Sequence, residues 1–176
     1  MEISSSILHK NLLSLESVNP QLAHEVRQSV ISNIDFEIKN GLASTICVSG
    51  IQLSSRHNPR REAELQASLL AESQEISLYG IGLGYLPEKI LKRSSVLKLN
   101  VKLLNLSLFA LVLSAPDQTN WINSERVSIT LAKLDSDVRA PYFALMPDLL
   151  LADESSENIK NILYTLNYNY FLKKQF

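Results

Sequence analysis

The sequence predicts an α/β fold, because segments with strand patterns alternate along the chain with segments with helical patterns. The strand pattern Glu75–Tyr79 leads into a glycine-rich turn and then into the helical pattern Leu86–Arg93. A second strand pattern, Val96–Leu104, follows directly, and two more lie at Val127–Leu131 and Tyr142–Leu145. A strand, a helix and a strand in this order are typical of a sheet that is at least partly parallel.

A helical segment is predicted to precede this sheet. Apolar residues recur at helical spacing between Ile7 and Leu15, and Asn19-Pro20 combines an N-cap residue with a first helical residue. We therefore expect a helical segment over residues 1–33, before an α/β domain over residues 34–176.

A β-hairpin is predicted over residues 34–53 of that domain. Apolar and polar residues alternate from Ile34 to Ile38, and Asn40-Gly41 is a strong hairpin signal. Thr45–Val48 and Ile51–Leu53 can pair back on this strand, with a bulge or bend at Ser49-Gly50.

The turn after Tyr79 is the most informative motif. It holds three of the five glycines of the chain, Gly80, Gly82 and Gly84, and Tyr85 follows. A strand, a glycine turn and a helix predict a Rossmann-like sheet. The turn has two interpretations: its backbone N–H groups could hold a phosphate or a carboxylate, or the glycines could only permit a tight connection.

A basic cluster stands at the start of the next predicted helix, which begins at Asn58-Pro59. The cluster consists of Arg56, His57, Arg60 and Arg61. Positive charge at a helix N-terminus opposes the helix dipole by roughly 0.3–1 kcal/mol per charge. An anion or a partner could relieve this conflict, and so could ion pairs with neighbouring acids such as Glu62 and Glu64.

Composition excludes several classes of protein. The chain has 176 residues, of which 45% are hydrophobic and 20% charged, and its net charge is −1. This balance predicts one globular domain with no general attraction to nucleic acid or to an anionic membrane. The single cysteine, Cys47, excludes an internal disulfide, and with the absence of a signal-peptide pattern it predicts a cytoplasmic protein.

No motif predicts a metal, a cofactor or a catalytic group. The three histidines are far apart and lack metal-ligand spacing, and there is neither a P-loop nor a nucleophile elbow. Four acids could be interpreted as a carboxylate site, although their local sequences favour a turn and a helix start: Asp135, Asp137, Asp148 and Asp153.

The strand pattern Val96–Leu104 carries polar residues on one face, at Lys98, Asn100 and Lys102. A central parallel strand is normally apolar on both faces. The pattern therefore indicates a strand near an edge, or a face covered by another subunit or by a domain outside this chain. Tyr164, Tyr168 and Phe171 share one face of the last helix, predicted over Ser156–Lys173, and if this face is exposed it predicts a homodimer or an interdomain contact.

Two segments, Leu53–Glu64 and Gly80–Tyr85, together resemble the N-terminal domain of the bacterial motility accessory factor (Maf) proteins. These are flagellin glycosyltransferases related to the MptE-like 6-hydroxymethylpterin pyrophosphokinases. The family pattern is Leu-His-Ser-(Lys/Arg)-Tyr-(Asn/Asp)-Pro-x-x-Glu-Ala, followed by Gly-x-Gly-Leu-Gly-Tyr. The resemblance covers about residues 50–110.

The resemblance implies a role in transferring a sialic-acid-like sugar from a CMP-activated donor to flagellin. The catalytic machinery is then expected in a domain downstream of this one. The family's next strand ends in an acidic turn that would hold a ribose hydroxyl, and Asn105 stands at that place here.

Two functions are therefore predicted. The first is a non-catalytic recognition module whose partner is flagellin, a catalytic domain or a second copy. The second is a small transferase domain that binds S-adenosylmethionine or a CMP-sugar at the Gly80–Tyr85 loop. The candidate surface combines that loop with the basic cluster and Asn105.

Overall fold

The computed structural model describes residues 2–29, 31–132, 138 and 141–174, and their side chains except those of 32 and 167–174. Asp135 and Asp137 lie outside the described residues, as do the side chains of Tyr168 and Phe171. The first part of the chain forms two helices, three strands and a third helix: α1 (Ser5–Val18), α2 (Pro20–Gln28), β1 (Phe36–Lys39), β2 (Thr45–Val48), β3 (Ile51–Gln52) and α3 (Pro59–Ser68). The second part continues with β4 (Glu75–Tyr79), α4 (Tyr85–Leu91), β5 (Lys98–Leu103), α5 (Leu106–Leu113), α6 (Thr119–Ile122), β6 (Val127–Leu131), β7 (Tyr142–Ala144), α7 (Met146–Leu150) and α8 (Glu157–Lys174).

The central sheet confirms the predicted α/β, Rossmann-like fold. Its four strands are parallel and lie in the order β6-β5-β4-β7. The chain winds from β4 through α4 to β5 and then β6, and returns to β7 on the other side of β4. The winding direction therefore reverses between β4 and β7, and in open α/β sheets ligands bind in the crevice at such a point.

A separate antiparallel sheet, β1-β2-β3, replaces the single hairpin predicted for residues 34–53. Ser49-Gly50, where a bulge or bend is expected, form a tight two-residue turn that pairs Val48 with Ile51. Both have positive φ, 48° at Ser49 and 83° at Gly50, as a two-residue type I′ hairpin turn requires.

The N-terminal helices pack on the same core as the sheet. Leu15 and Leu22 belong to one buried cluster with Leu78, Leu99 and Leu111. The division of the chain at residue 33 stays a prediction.

The residue between the first two helices ties them to the sheet edge. Asn19 caps α2 through its Oδ1, which accepts from the Leu22 N–H at 3.0 Å. Its Nδ2 donates to the Ile129 carbonyl of β6 at 3.0 Å. One side chain thus begins a helix and covers a carbonyl at the edge of the sheet.

The two faces of β5 differ as its sequence predicts. Leu99, Val101 and Leu103 are buried, whereas Lys98 is exposed. The strand lies next to the edge strand β6, and α8 of the same chain covers part of the polar face. Ile159 and Leu163 of α8 pack with Tyr79 in a second buried cluster.

Several boundaries differ from the sequence prediction. The helix predicted over Leu86–Arg93 spans Tyr85–Leu91, and the strand predicted over Val96–Leu104 spans Lys98–Leu103. The short helix α7 has no counterpart in the prediction. Among the described helices, none is both long enough and apolar enough to cross a bilayer.

Candidate functional site

The glycine loop is a tight, buried connection between β4 and α4. Gly80, Gly82 and Gly84 have φ of 82°, 54° and 85°, a region that other residues rarely adopt. The Gly84 N–H donates to the Ile81 carbonyl at 2.8 Å, and α4 begins at Tyr85. All residues from Gly80 to Gly84 are buried.

The backbone amides of this loop bind a carboxylate that belongs to the chain itself. Asp148 of α7 accepts from the Ile81 N–H through Oδ1 at 2.9 Å and from the Gly82 N–H through Oδ2 at 3.0 Å. A Cβ at Gly80 would overlap the Asp148 side chain. Asp148 therefore occupies the position where a ligand phosphate or carboxylate would bind a loop of this kind.

Burial raises the pKa of Asp148 to about 6, although its hydrogen bonds with backbone N–H groups act in the opposite direction. The side chain is almost fully buried, and the described residues place no cation beside it. The sequence suggested only that Asp148 could belong to a carboxylate site. Its position shortly after β7 could have predicted that Asp148 lies near the glycine loop after β4, because the carboxyl ends of parallel strands meet at one edge of the sheet.

A second side chain, Gln118, packs against the other end of the loop sequence, at Leu83 and Gly84. The Gln118 Nε2 donates to the Leu83 carbonyl at 3.0 Å, and Oε1 accepts from Trp121 Nε1 at 2.5 Å. A Cβ at Gly84 would overlap the Gln118 amide. The loop glycines thus allow neighbouring groups to approach the backbone closely.

Gln118 is in turn held by the first helix. Its backbone N–H donates to Asn11 Oδ1 at 2.8 Å, while Asn11 Nδ2 donates to the carbonyls of Leu113 and Pro116 at 2.8 and 2.9 Å. Asn11 is completely buried, with both polar atoms of its amide paired. The sequence predicts only that Asn11 lies in a helix, between Ile7 and Leu15.

Asn105, the candidate at the end of β5, also bonds to its own chain. Its Oδ1 caps α5 by accepting from the Leu108 N–H at 2.9 Å, and its Nδ2 donates to the Leu151 carbonyl at 2.7 Å. The Asp153 N–H beside it donates to the Leu104 carbonyl at 3.0 Å. The segment from α7 to Asp153 therefore covers the carboxyl ends of both β4 and β5.

The space left beside the glycine loop is small. A cavity of about 10 Å³ lies among Leu53, Pro59, Gly82, Tyr85 and Leu145. A cavity needs roughly 10–15 Å³ to hold one water molecule. It has no room for a nucleotide group unless the surrounding residues move.

The basic cluster divides into two parts. Arg56 is half-buried and His57 exposed, in the bend that precedes α3. The Arg56 carbonyl accepts from the Ala43 N–H at 2.8 Å, and the His57 N–H donates to Ser55 Oγ at 3.1 Å. These contacts use the backbone to shape the bend.

The structure brings Arg60 and Tyr85 together. The Arg60 Cζ lies 5.9 Å from the centre of the Tyr85 ring, a cation–π distance. Arg61, one residue on, pairs with Glu64 at 3.3 Å. Tyr85 connects the two parts of the candidate site, because it directly follows the buried glycines and its ring faces the arginine of α3.

An open groove of about 150 Å³ lies between α3 and α4, beside this pair. Its lining is Arg60, Ala63, Glu64, Tyr85, Glu88, Lys89 and Lys92. Within the described part of the chain, no three His, Cys, Asp or Glu side chains are grouped so that they could hold a metal ion. The groove therefore offers charged side chains and one aromatic ring as its binding chemistry.

No family model matches this chain, and no curated protein does. Among solved structures, a MAf glycosyltransferase from Magnetospirillum magneticum AMB-1 is similar in fold, with a TM-score of 0.57 and 13% identity. The match covers 73% of this chain and 28% of that one. At this identity the likeness concerns the fold alone.

Two spermidine synthase structures are also similar. One, from Thermotoga maritima, has a TM-score of 0.46 and 21% identity over 56% of this chain and 36% of that chain. The other, in complex with the transition state analogue AdoDATO, has a TM-score of 0.47 and 19% identity over 57% and 36%. This chain thus spans 28–36% of the matched structures' lengths.

Proposed function

We propose that this chain is a non-catalytic module of a Maf-type flagellin glycosylation protein, and that it recognises a protein partner. The partner is flagellin, the catalytic part of the glycosylation protein, or a second copy of the chain. Two independent likenesses support the family assignment: the motif pair Leu53–Glu64 and Gly80–Tyr85, and the fold shared with the MAf glycosyltransferase.

The observation that carries the non-catalytic role is the pairing of Asp148 with the Ile81 and Gly82 amides. A phosphate or carboxylate ligand would have to displace this carboxylate from two hydrogen bonds of 2.9 and 3.0 Å. Hydrogen bonds to a charged group are worth about 1.5–3 kcal/mol each. A nucleotide at this loop would therefore bind at the expense of native contacts.

The residues around the loop support the same conclusion. Asn105 uses both polar atoms of its side chain within the fold, Oδ1 to cap α5 and Nδ2 to hold Leu151, and it lacks the carboxylate that the family is expected to use for a ribose hydroxyl. Its Nδ2 donates to the Leu151 carbonyl, and that carbonyl belongs to the segment that covers the crevice. Recognition at the groove between α3 and α4 requires none of these contacts to break.

Calorimetric titration with CMP and with S-adenosylmethionine separates this proposal from the transferase alternative. We expect no binding of either compound at millimolar concentration. Micromolar binding would favour the alternative, provided that it is lost when the loop is changed. Because a Cβ at Gly82 would lie 2.8 Å from the Leu53 carbonyl, Gly82→Val must be accompanied by circular dichroism to show that it folds.

A direct binding measurement tests the recognition role. Purified flagellin monomer and a purified Maf glycosyltransferase are each immobilised, and this chain is passed over them in a biosensor. Light scattering measures self-association in parallel. Saturable binding to either protein, or a defined dimer, is the expected result. Failure of all three would contradict the proposed function.

A further inference from the structure

The groove between α3 and α4 carries more positive than negative charge. Five charged side chains line it, Arg60, Lys89 and Lys92 against Glu64 and Glu88, while Arg61 of α3 lies outside the lining and pairs with Glu64. The lining therefore has one cation in excess, although the chain as a whole has a net charge of −1. Glu62, between the two arginines and Glu64 in sequence, accepts from the Ser55 N–H and lines the other, smaller cavity.

The two carboxylates serve to hold the cations in place. Glu64 pairs with Lys89 at 2.6 Å and with Arg61 at 3.3 Å. The pKa of Glu64 lies below its ordinary value because Lys89 and Arg61 donate hydrogen bonds to it. The Glu64–Lys89 salt bridge thus joins α3 to α4, whereas the Glu64–Arg61 pair lies within α3.

Arg60 is the least committed of the four cations. Its side chain is 70% exposed, and its nearest carboxylate oxygen, Glu88 Oε1, is 3.9 Å away. That oxygen is closer to Lys92 Nζ, at 3.1 Å. Among the described residues, no acceptor is within hydrogen-bond distance of the Arg60 guanidinium, and its five N–H donors face the groove and solvent.

The Tyr85 ring limits what Arg60 can bind. The guanidinium stands over that ring, which orients it without using its N–H donors. A nucleotide base would have to displace Arg60 to stack on the same ring face. A carboxylate can instead pair with the edge of the guanidinium in the usual two-bond geometry while Arg60 stays in place.

We propose that this groove binds carboxylate side chains of an acidic segment on a protein partner, a proposal that rests on the recognition role given above. Arg60 and Lys92 are the principal contacts, since they are the most exposed cations of the groove lining.

The probe for this proposal is a hexaglutamate peptide, titrated into the full chain at low ionic strength and followed by amide chemical shifts. We expect saturable shifts that centre on Ala63, Tyr85 and Glu88, and weaker binding as salt is added. Inorganic phosphate and hexalysine are titrated in parallel. Saturation by phosphate at these residues without peptide binding would overturn the proposal.

Matched charge reversals locate the binding. The double variant R60E/K92E should weaken hexaglutamate binding by about tenfold or more, because two attractions become repulsions. The control R27E/K39E changes the net charge equally, at two exposed ion pairs outside the groove. Equal weakening in both variants would show a non-specific charge effect and contradict the proposal. If R60E/K92E does not fold, the double variant R60A/K92A replaces it, and the double variant R27A/K39A is then the control.

The result is separable from that of the flagellin and glycosyltransferase measurements. Binding of either protein with no hexaglutamate binding would mean that the partner docks elsewhere, so only the groove proposal fails. Hexaglutamate binding at the groove, with no association with either protein or with a second copy, would contradict the proposed function and leave the groove as an acidic-segment site.

Discussion

The Asp148 carboxylate accepts the backbone N–H of Gly82 at 3.0 Å, across 66 positions of sequence. Its other oxygen accepts from Ile81, so one acidic side chain satisfies two consecutive amides of the glycine loop. The contact joins the turn after β4 to the helix after β7, the two elements that flank the reversal of winding in the sheet. A crevice that holds a ligand in many proteins of this fold class is here closed by the chain itself.

The ionisation of Asp148 should make stability depend on pH. Its pKa is raised from 3.8 to about 6 by burial, so the folded state keeps its proton over a range in which the unfolded state has lost it. The stabilisation that protonated Asp148 gives the folded state is therefore fully present below about pH 4. About 3 kcal/mol of it is lost as the pH rises to about 6.

Urea unfolding of the wild type and of Asp148→Asn between pH 4.5 and 7.5 measures this loss. The difference in the free energy of unfolding between the two proteins should change up to about pH 6 and stay constant above it. A constant difference over the whole range would contradict the raised pKa of Asp148.

Removing the Asp148 side chain should leave a small anion site behind. Asp148→Ala deprives two buried N–H groups of their acceptor, and we expect it to destabilise the fold by about 1–3 kcal/mol at pH 7. Formate, which can pair with the same two amides, should restore part of this loss. Urea unfolding of the wild type and of Asp148→Ala, each in sodium formate and in sodium chloride at equal concentration, measures this stabilisation. Equal stabilisation of the wild type and the variant by formate would mean that the anion acts elsewhere.

Gly80 and Gly50 form a matched pair of sites. Their φ values are 82° and 83°, so alanine suffers the same backbone strain at both, about 1–2 kcal/mol. Nothing lies within 4 Å of a Cβ at Gly50, whereas a Cβ at Gly80 would overlap Asp148. Gly80→Ala should therefore lower the free energy of unfolding clearly more than Gly50→Ala. Equal losses in chemical denaturation would show that the close approach of Asp148 is unimportant.

Asn11 should be among the most sensitive polar positions. Asn11→Ala removes two donated bonds and one accepted bond, two of them buried and one partly buried, and we expect the free energy of unfolding to fall by about 2–4 kcal/mol. Asn100→Ala is the control, because that side chain makes a single bond, to Glu75, near the surface. It should cost less than about 1 kcal/mol. Thermal unfolding of the two variants gives the comparison, and similar losses would contradict it.

The sequence predicted those features of the fold that leave local signals. The caps at Asn19 and Asn58 begin helices as their Asn-Pro pairs indicate, and the alternation in β5 matches its buried and exposed faces. The glycines after Tyr79 predicted the turn between β4 and α4. Each of these features depends on residues that are close in sequence, so a pattern of a few residues is enough.

The contacts that decide the site are long-range and left no such signal. Asp148 and Gln118 reach the glycine loop across 67 and 35 positions. Nothing in Pro147-Asp148 distinguishes a carboxylate that binds a loop from one that begins a helix. The acid expected at its position makes Asn105 a candidate ligand-binding residue. The simpler N-cap pattern, an Asn just before an apolar helix, describes what Asn105 does.

The bond from Asn19 to the Ile129 carbonyl has a consequence for assembly. The outer side of β6 is a place where an extended segment from another molecule could add itself to the sheet. The amide of Asn19 already occupies a carbonyl in the middle of that row. A strand added on this side would have to displace that amide, so the contact opposes strand exchange and fibril-like stacking through the outer side of β6.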